Sequence, residues 1–135
     1  MKLVIDLVNG LHQAALAEGL HLAKKTSVDP YRLLEILDPG TAYSKGLGAK
    51  GLRMIEEDFE PQIRLSQQLK AAQLILDVAK GVETELPLSE TYRTLLQTAD
   101  AQGNGHLDDS AIIQAWNTVR SSTDQTSESM MTNDS

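Results

Sequence analysis

The first 25 residues carry the feature that most constrains the fold, a long stretch in which apolar residues recur every three or four positions. Leu3, Leu7, Leu11 and Ala14 begin this series. The spacing predicts a helix over residues 2–25, about 36 Å long at a rise of about 1.5 Å per residue. Because further apolar residues widen the stripe round most of the circumference, we expect a central helix with the others packed around it.

Start and stop signals predict several shorter helices after the first, and no segment has the strict alternation of a half-buried strand. Among these signals are Asp29-Pro30, which indicates the start of a helix, and Gly81, which indicates the end of one. The expected segments are a helix over 31–37, a glycine-containing stretch over 44–57 that is a weak, closely packed helix or partly loop, an extended or turn segment over 58–64, and helices over 65–80, 88–101 and 108–119. The sequence therefore predicts one all-α domain over residues 1–119, followed by a polar tail over 120–135 that we expect to be disordered.

The charge balance narrows the classes of function. The 135 residues include 12 basic and 19 acidic ones, giving a net charge of -7. This balance argues against binding to nucleic acid or to a membrane surface. No apolar run approaches the roughly 18–20 residues of a membrane span. The start imitates a signal peptide, but Asp6 and Asn9 interrupt its apolar core. Together with the absence of cysteine, these features favour a cytoplasmic protein.

One segment is similar to a calcium-binding loop. Asp100, Asn104 and Asp108 stand at positions one, five and nine of such a loop, and Gly105 stands at position six. Position twelve, which needs a bidentate glutamate, is Ala111. We therefore expect a turn between two helices rather than a calcium site. The three histidines have no metal-ligand spacing, and we predict no metal site.

Two lysines remain as candidates for chemistry. Lys2 and Asp6 are four residues apart and so share one face of the first helix, where a weak ion pair is the ordinary interpretation. Lys70 lies between Leu69 and Ala72, on or beside the apolar side of its helix. On spacing alone, a surface lysine whose alkyl stem covers apolar side chains is the favoured interpretation of that position.

The order of several segments resembles a known family. The segment over residues 2–19, the Asp58-Phe59-Glu60-Pro61 segment and the Leu69-Lys70-Ala71-Ala72 segment follow one another as they do in the β-hydroxyacid dehydrogenases, and residues 86–88 and 103–113 continue the order. That family includes 3-hydroxyisobutyrate dehydrogenase, tartronate semialdehyde reductase and the glyoxylate/succinic semialdehyde reductases, and it is related to 6-phosphogluconate dehydrogenase. The resemblance covers about residues 1–119.

The resemblance implies an all-α bundle like the C-terminal domain of 6-phosphogluconate dehydrogenase, built around the long first helix. In the family an N-terminal Rossmann domain binds NAD or NADP and the helical domain closes the active site. This chain resembles the helical domain alone. The resemblance thus implies a cofactor and a small β-hydroxyacid substrate in an intact parent, and we expect neither cofactor binding nor turnover by this chain alone.

The resemblance also implies site residues. Lys2 matches the catalytic lysine that exchanges a proton with the substrate hydroxyl, and Lys70 matches a lysine that reaches the cofactor. Asp6 stands at the substrate-binding position, where the family has asparagine, and Ala71 stands where it has aspartate. These departures suggest an altered substrate or lost catalysis, so the alternative is a non-catalytic dimerisation module. In either case we expect a homodimer or larger assembly that covers the first helix.

Overall fold

The computed structural model describes residues 1–37 and 45–117, and the predicted tail over 120–135 lies outside the described residues. The described residues form helices joined by turns, with one isolated backbone bridge between Arg64 and Asp108 and no strand. The helices are α1 (Lys2–Lys25), α2 (Pro30–Leu37), α3 (Lys45–Glu56), α4 (Leu65–Gly81) and α5 (Pro87–Ala99), followed by a π-helical turn (Asp100–Asn104) and a 3₁₀ helix (Asp109–Gln114). The predicted all-α class is confirmed.

The first helix has the predicted bounds. No side chain caps its start, whereas at its end the hydroxyl of Thr26 donates to the carbonyl of Leu22 at 2.9 Å. Lys24 and Lys25 lie in the last turn, at the negative end of the helix dipole. Its C-terminal half packs in the core, where Ala17 is fully buried and Leu20 nearly so.

Within the described residues, the first turns of α1 are exposed, whereas the rest of the helix is packed. Val4, Ile5 and Val8 are 59%, 52% and 44% exposed, whereas burial of α1 begins at Gly10. The shorter helices of the described residues contact the remainder of α1 and leave its beginning uncovered. An apolar circumference indicates a need for cover, but it does not specify which elements supply that cover.

The glycine-containing segment over 44–57 forms helix α3 from Lys45, and residue 44 lies outside the described residues. Gly51 allows close packing of this helix. A Cβ added to Gly51 would lie 2.9 Å from a methyl of Leu34 and 3.0 Å from a methyl of Leu16. Of the two predicted alternatives, a closely packed helix or a partial loop, the structure has the closely packed helix.

Helices α4 and α5 pack against each other, and the chain then turns into the 3₁₀ helix. Gly103 has a φ of 94°, a left-handed conformation that favours glycine at this turn. The predicted helix over 108–119 is a 3₁₀ helix followed by a short helical turn to Asn117, and residues 118 and 119 lie outside the described residues. None of the helices in residues 1–37 and 45–117 is long and apolar enough to cross a membrane.

Candidate functional site

The predicted catalytic and substrate-binding residues lie on the uncovered beginning of α1. Lys2 is exposed and Asp6 is half-buried one turn further along. Among the described residues they form neither an ion pair nor a hydrogen bond with each other, although their spacing allows one. Continued at the same spacing, this face leads to Gly10, where α1 meets the rest of the domain. Asp6 and Lys2 therefore lie about one and about two helical turns before Gly10, the point at which α1 is anchored to the domain.

The predicted cofactor-binding lysine lies on a different element. Lys70 is exposed near the start of α4, between half-buried Leu69 and buried Ala72 on the packed side of that helix. Within the described residues no hydrogen bond or ion pair connects Lys70 with Lys2 or Asp6. The fold thus places the three candidates on two helices, and α1 and α4 contact each other in the bundle.

Sequence reasoning missed a buried charge cluster at the junction of α3 with the 3₁₀ helix. Lys50 of α3 places its Nζ 2.8 Å from Oδ2 of Asp108 and 2.7 Å from Oδ1 of Asp109. The side chain of Asp108 is fully buried. Its Oδ1 also accepts from the backbone N–H of Gln62 at 2.9 Å, and its Oδ2 accepts from the hydroxyl of Ser110 at 2.6 Å. One carboxylate therefore links three segments of the chain.

The same cluster fixes the beginning of α4. Gln68 in the first turn of α4 donates from Nε2 to Oδ2 of Asp109 at 3.1 Å. The backbone N–H groups of Leu65 and Ser66, which open the helix, donate to the carbonyls of Leu107 and Gly105. These groups would otherwise have no intrahelical partner. The buried cluster thereby positions the turn of α4 that carries Lys70.

Burial alone would raise the pKa of Asp108. The hydrogen bonds from Lys50, from Ser110 and from the N–H of Gln62 outweigh that effect and hold the pKa of the carboxyl well below its ordinary value of 3.8. Asp108 is therefore ionised in the folded protein at neutral pH.

Tyr92 of α5 holds α1 at the point where its exposed beginning ends. A Cβ added to Gly10 would lie 2.7 Å from the hydroxyl oxygen of Tyr92 and 2.8 Å from its Cζ, so the ring packs directly on the α1 backbone. Burial, and then the charge of Asp109, raise the pKa of the Tyr92 hydroxyl far above its ordinary value. This contact anchors α1 about two turns after Lys2.

Two side chains of the calcium-like loop form hydrogen bonds within the protein. Asp108, its ninth position, turns inward to Lys50, and Gln102, its third position, donates from Nε2 to the carbonyl of Gln114 at 3.0 Å. In residues 1–37 and 45–117, no group of three or more His, Asp or Glu side chains is arranged to hold a metal ion.

The sequence carried only weak signals of the buried cluster. Asp108 before the 3₁₀ helix is interpretable as an N-cap, and it does accept from the N–H of Ser110. Nothing in the pattern identified Lys50 as its partner, because the two residues are 58 positions apart.

The model of the family described as "NAD-binding of NADP-dependent 3-hydroxyisobutyrate dehydrogenase" matches residues 1–116. The chain belongs to this β-hydroxyacid dehydrogenase family, whose members use NAD or NADP.

Three curated relatives illustrate the range of the family. The chain is 34% identical over 114 residues to 2-hydroxy-3-oxopropionate reductase of Escherichia coli (strain K12), covering 84% of this chain and 39% of the relative. It is 31% identical to glyoxylate/succinic semialdehyde reductase 2, chloroplastic, of Arabidopsis thaliana, covering 90% and 34%. It is also 32% identical to cytokine-like nuclear factor N-PAC of Aedes aegypti, covering 83% and 20%. The chain thus spans well under half the length of these relatives.

A solved structure agrees with the fold. The crystal structure of 3-hydroxyisobutyrate dehydrogenase from Salmonella typhimurium superposes with a TM-score of 0.79 at 26% identity, covering 84% of this chain and 40% of that one. The 3-hydroxyisobutyrate dehydrogenase of Mycobacterium tuberculosis, at 20% identity and a TM-score of 0.75, supports the same fold. Both comparisons support the predicted all-helical fold.

Proposed function

We propose that this chain is the helical substrate and dimerisation domain of an NAD(P)-dependent β-hydroxyacid dehydrogenase that interconverts a small β-hydroxyacid and its semialdehyde or keto form. The observation that carries the proposal is the match of residues 1–116 to the family. The exposed Lys2 at the beginning of α1 supports it, because a cation there is accessible to a small molecule.

Lys2 is the residue that exchanges the proton. Negative charge grows on the carbonyl oxygen of the substrate as it is reduced, and a protonated amine beside that oxygen stabilises the charge and supplies the proton. Asp6, one turn away, lies within reach of the same molecule. Its carboxylate disfavours a second carboxylate in the substrate at that position, and it favours a hydroxyl or amino group.

The residues of this chain fit a bound nicotinamide cofactor only in part. Lys70 offers a cation, but the described residues contain no strand followed by a glycine-rich loop to hold a pyrophosphate. The hydride comes from NAD(P)H when it is bound. The contributions of this chain are the proton at Lys2 and the orientation of substrate.

We therefore expect that the chain alone neither binds nor reduces NAD(P) at micromolar concentration and does not turn over. Isothermal titration of the chain with NADH and NADPH tests this expectation. Tight binding of either cofactor to the isolated chain contradicts it.

A chimera tests the catalytic part of the proposal. Residues 1–117 of this chain replace the matching part of the Escherichia coli reductase, and reduction of 2-hydroxy-3-oxopropionate by NAD(P)H is measured. We expect turnover, a loss of at least about 100-fold with Lys2→Ala, and partial retention with Lys2→Arg. The matched control is Lys80→Ala, which removes an exposed lysine from the far end of α4.

One observation favours a second candidate, a non-catalytic dimerisation module. The relative from Aedes aegypti is named a nuclear factor rather than a reductase. In the chimera this alternative predicts folded but inactive protein that gains activity when Asp6→Asn and Ala71→Asp are introduced together. The DNA upstream of the Met1 codon gives an independent test, since an in-frame strand, Gly-x-Gly-x-x-Gly and helix there favours the reductase.

The proposal includes partners and location. A second copy of this chain is the expected macromolecular partner, and a small β-hydroxyacid is bound only together with a dinucleotide-binding domain. Nucleic acid and membranes are not expected partners, because the net charge is -7. The expected compartment is the cytoplasm.

A further inference from the structure

A polar pocket of about 250 Å³, which we call the α4–α5 pocket, lies between the second half of α4 and the first half of α5. Two cations and three carboxylates line it: Arg93, Lys80, Asp77, Glu85 and Glu90. Among the residues that the structure describes, none of these five groups forms an ion pair with another. Opposite charges therefore line one pocket without neutralising each other.

The guanidinium of Arg93 has donors without acceptors. Within residues 1–37 and 45–117 it makes one hydrogen bond, from Nη1 to Oε1 of Gln73, and the distance of 3.4 Å is long for such a bond. Its Nε is buried and has no partner there. A buried donor without a partner carries a desolvation cost, which a bound acceptor removes. The edge of a guanidinium can hold a carboxylate through two parallel hydrogen bonds, so a carboxylate is the acceptor that fits Arg93 best.

The side-chain amide of Gln73 indicates a second requirement on the ligand. Its Oε1 accepts from Arg93, and its Nε2 donates to Oδ1 of Asp77 at 3.1 Å. An α-amino acid has the same pattern, because its carboxylate accepts and the ammonium on the neighbouring carbon donates. In the described part of the chain, Oδ2 of Asp77 accepts no hydrogen bond. Arg93 and Asp77 can therefore each take a further partner of this kind.

The size and charge of the α4–α5 pocket favour a small zwitterion over a simple ion. At about 30 Å³ per water molecule, the pocket has room for about eight waters or for a molecule of about eight non-hydrogen atoms. The three carboxylates repel an anion that has no positive group, and the two cations repel a cation that has no negative group. Leu76 and Leu86 are half-buried in the wall of the pocket and provide a surface for a short apolar side chain.

We propose that the α4–α5 pocket binds a small α-amino acid, with the ligand carboxylate on the guanidinium of Arg93 and the ligand ammonium on Asp77. The side chain of the ligand packs against Leu76 and Leu86. The bound molecule thereby joins α4 to α5. This inference goes beyond the proposed function and does not depend on it, since no residue of the candidate active site takes part.

Titration of the full 135-residue chain, followed by ¹⁵N NMR, tests the class of ligand, because the Nε–H of Arg93 gives a side-chain signal of its own. Three probes share one carbon chain: L-norvaline has both charges, pentanoate lacks the ammonium and n-butylamine lacks the carboxylate. L-norvaline is expected to shift the Arg93 signal with a dissociation constant of about 1 mM or less. The other two probes should bind at least about 10-fold more weakly, because each loses one charge-assisted contact.

Three variants test the residues, with the backbone N–H signal of Leu86 as the readout and circular dichroism to verify folding. Arg93→Lys keeps the charge but loses the two-bond edge, so the dissociation constant for L-norvaline should rise at least about 10-fold. The matched control is Lys80→Ala, which removes the other, exposed cation and should change the constant less than about 3-fold. Asp77→Asn should abolish the preference for L-norvaline over pentanoate.

Three results would overturn the proposal. They are the absence of any shift with L-norvaline up to about 20 mM, binding of pentanoate as tight as that of L-norvaline, and unchanged binding by a folded Arg93→Lys chain. A larger loss with Lys80→Ala than with Arg93→Lys would also contradict it, because net charge alone would then hold the ligand. The titration uses neither cofactor nor turnover, so its failure and a failure of the proposed function are separate results.

Discussion

Lys50 and Asp108 form a buried ion pair, with Nζ 3.0 and 2.8 Å from the two carboxylate oxygens, although 58 residues separate them. The pair joins α3 to the 3₁₀ helix, and through Gln62 it also holds the segment that leads into α4. The side chain of Lys50 is 15% exposed and that of Asp108 is fully buried. A charge so placed is tolerated only with its partners, so the pair is a point at which the fold is sensitive to single changes.

Asp108→Asn is expected to destabilise the domain by about 3 kcal/mol. The substitution leaves Lys50 with Asp109 alone, and the Nε of Arg53, which lies 3.6 Å from Asp108 Oδ2, loses its nearest countercharge. Urea unfolding measures the change. The control is Glu35→Gln, which breaks an ion pair with Arg32 between side chains 69% and 68% exposed and should cost no more than about 0.5 kcal/mol. Equal costs for the two variants would contradict a special role for the buried pair.

Stability is expected to fall as the pH drops below about 4. The pKa of Asp108 is lower in the folded protein than its ordinary value of 3.8, so the unfolded chain binds this proton first as the solution is acidified. The stability that Asp108 contributes is therefore fully present above that value and is lost progressively below it. Urea unfolding of the native chain and of Asp108→Asn at a series of pH values measures the difference. The gap between the two curves should narrow toward acid pH, and a constant gap contradicts the assignment.

Local sequence patterns predicted the helices well because their signals are local. Apolar spacing over residues 2–25 and the Asp29-Pro30 start signal predicted helices α1 and α2, which the structure contains. The packing of those elements depends on contacts between distant residues, and no local rule contains them. The exposed beginning of α1 and the Lys50–Asp108 pair were both missed for this reason.

The candidate site was reached by resemblance rather than by pattern. Spacing alone left Lys2 as half of a weak ion pair, and the structure has no such pair with Asp6 among the described residues. Their roles stay predictions. Lys70 lies on α4 and Lys2 on α1, and local sequence patterns do not predict how far apart two helices place such residues.

Gly51→Ala is expected to destabilise the domain by about 1–2 kcal/mol. Alanine has the better helix propensity by about 1 kcal/mol, but its Cβ would overlap methyl groups of Leu34 and Leu16 in the core. Gly46→Ala in the same helix is the matched control, because an added Cβ there meets nothing within 4 Å among the described residues. It should be neutral or stabilise by about 0.5 kcal/mol. Thermal unfolding of both variants gives the comparison, and a stabilised Gly51→Ala protein would mean that α3 can shift away from α1.

Gly10→Ala is expected to destabilise the domain by about 1–3 kcal/mol, because the new Cβ would lie within 3 Å of three atoms of the Tyr92 side chain. A double-mutant cycle isolates this contact. Tyr92→Ala alone should cost about 3–5 kcal/mol, since the ring is only 6% exposed. In the double variant, Gly10→Ala should cost nothing further, because the overlapping ring is gone. Urea unfolding of the four proteins would then give a coupling energy of about 1–3 kcal/mol. Costs that add to within about 0.5 kcal/mol would show that α1 is held at Gly10 by something other than the Tyr92 ring.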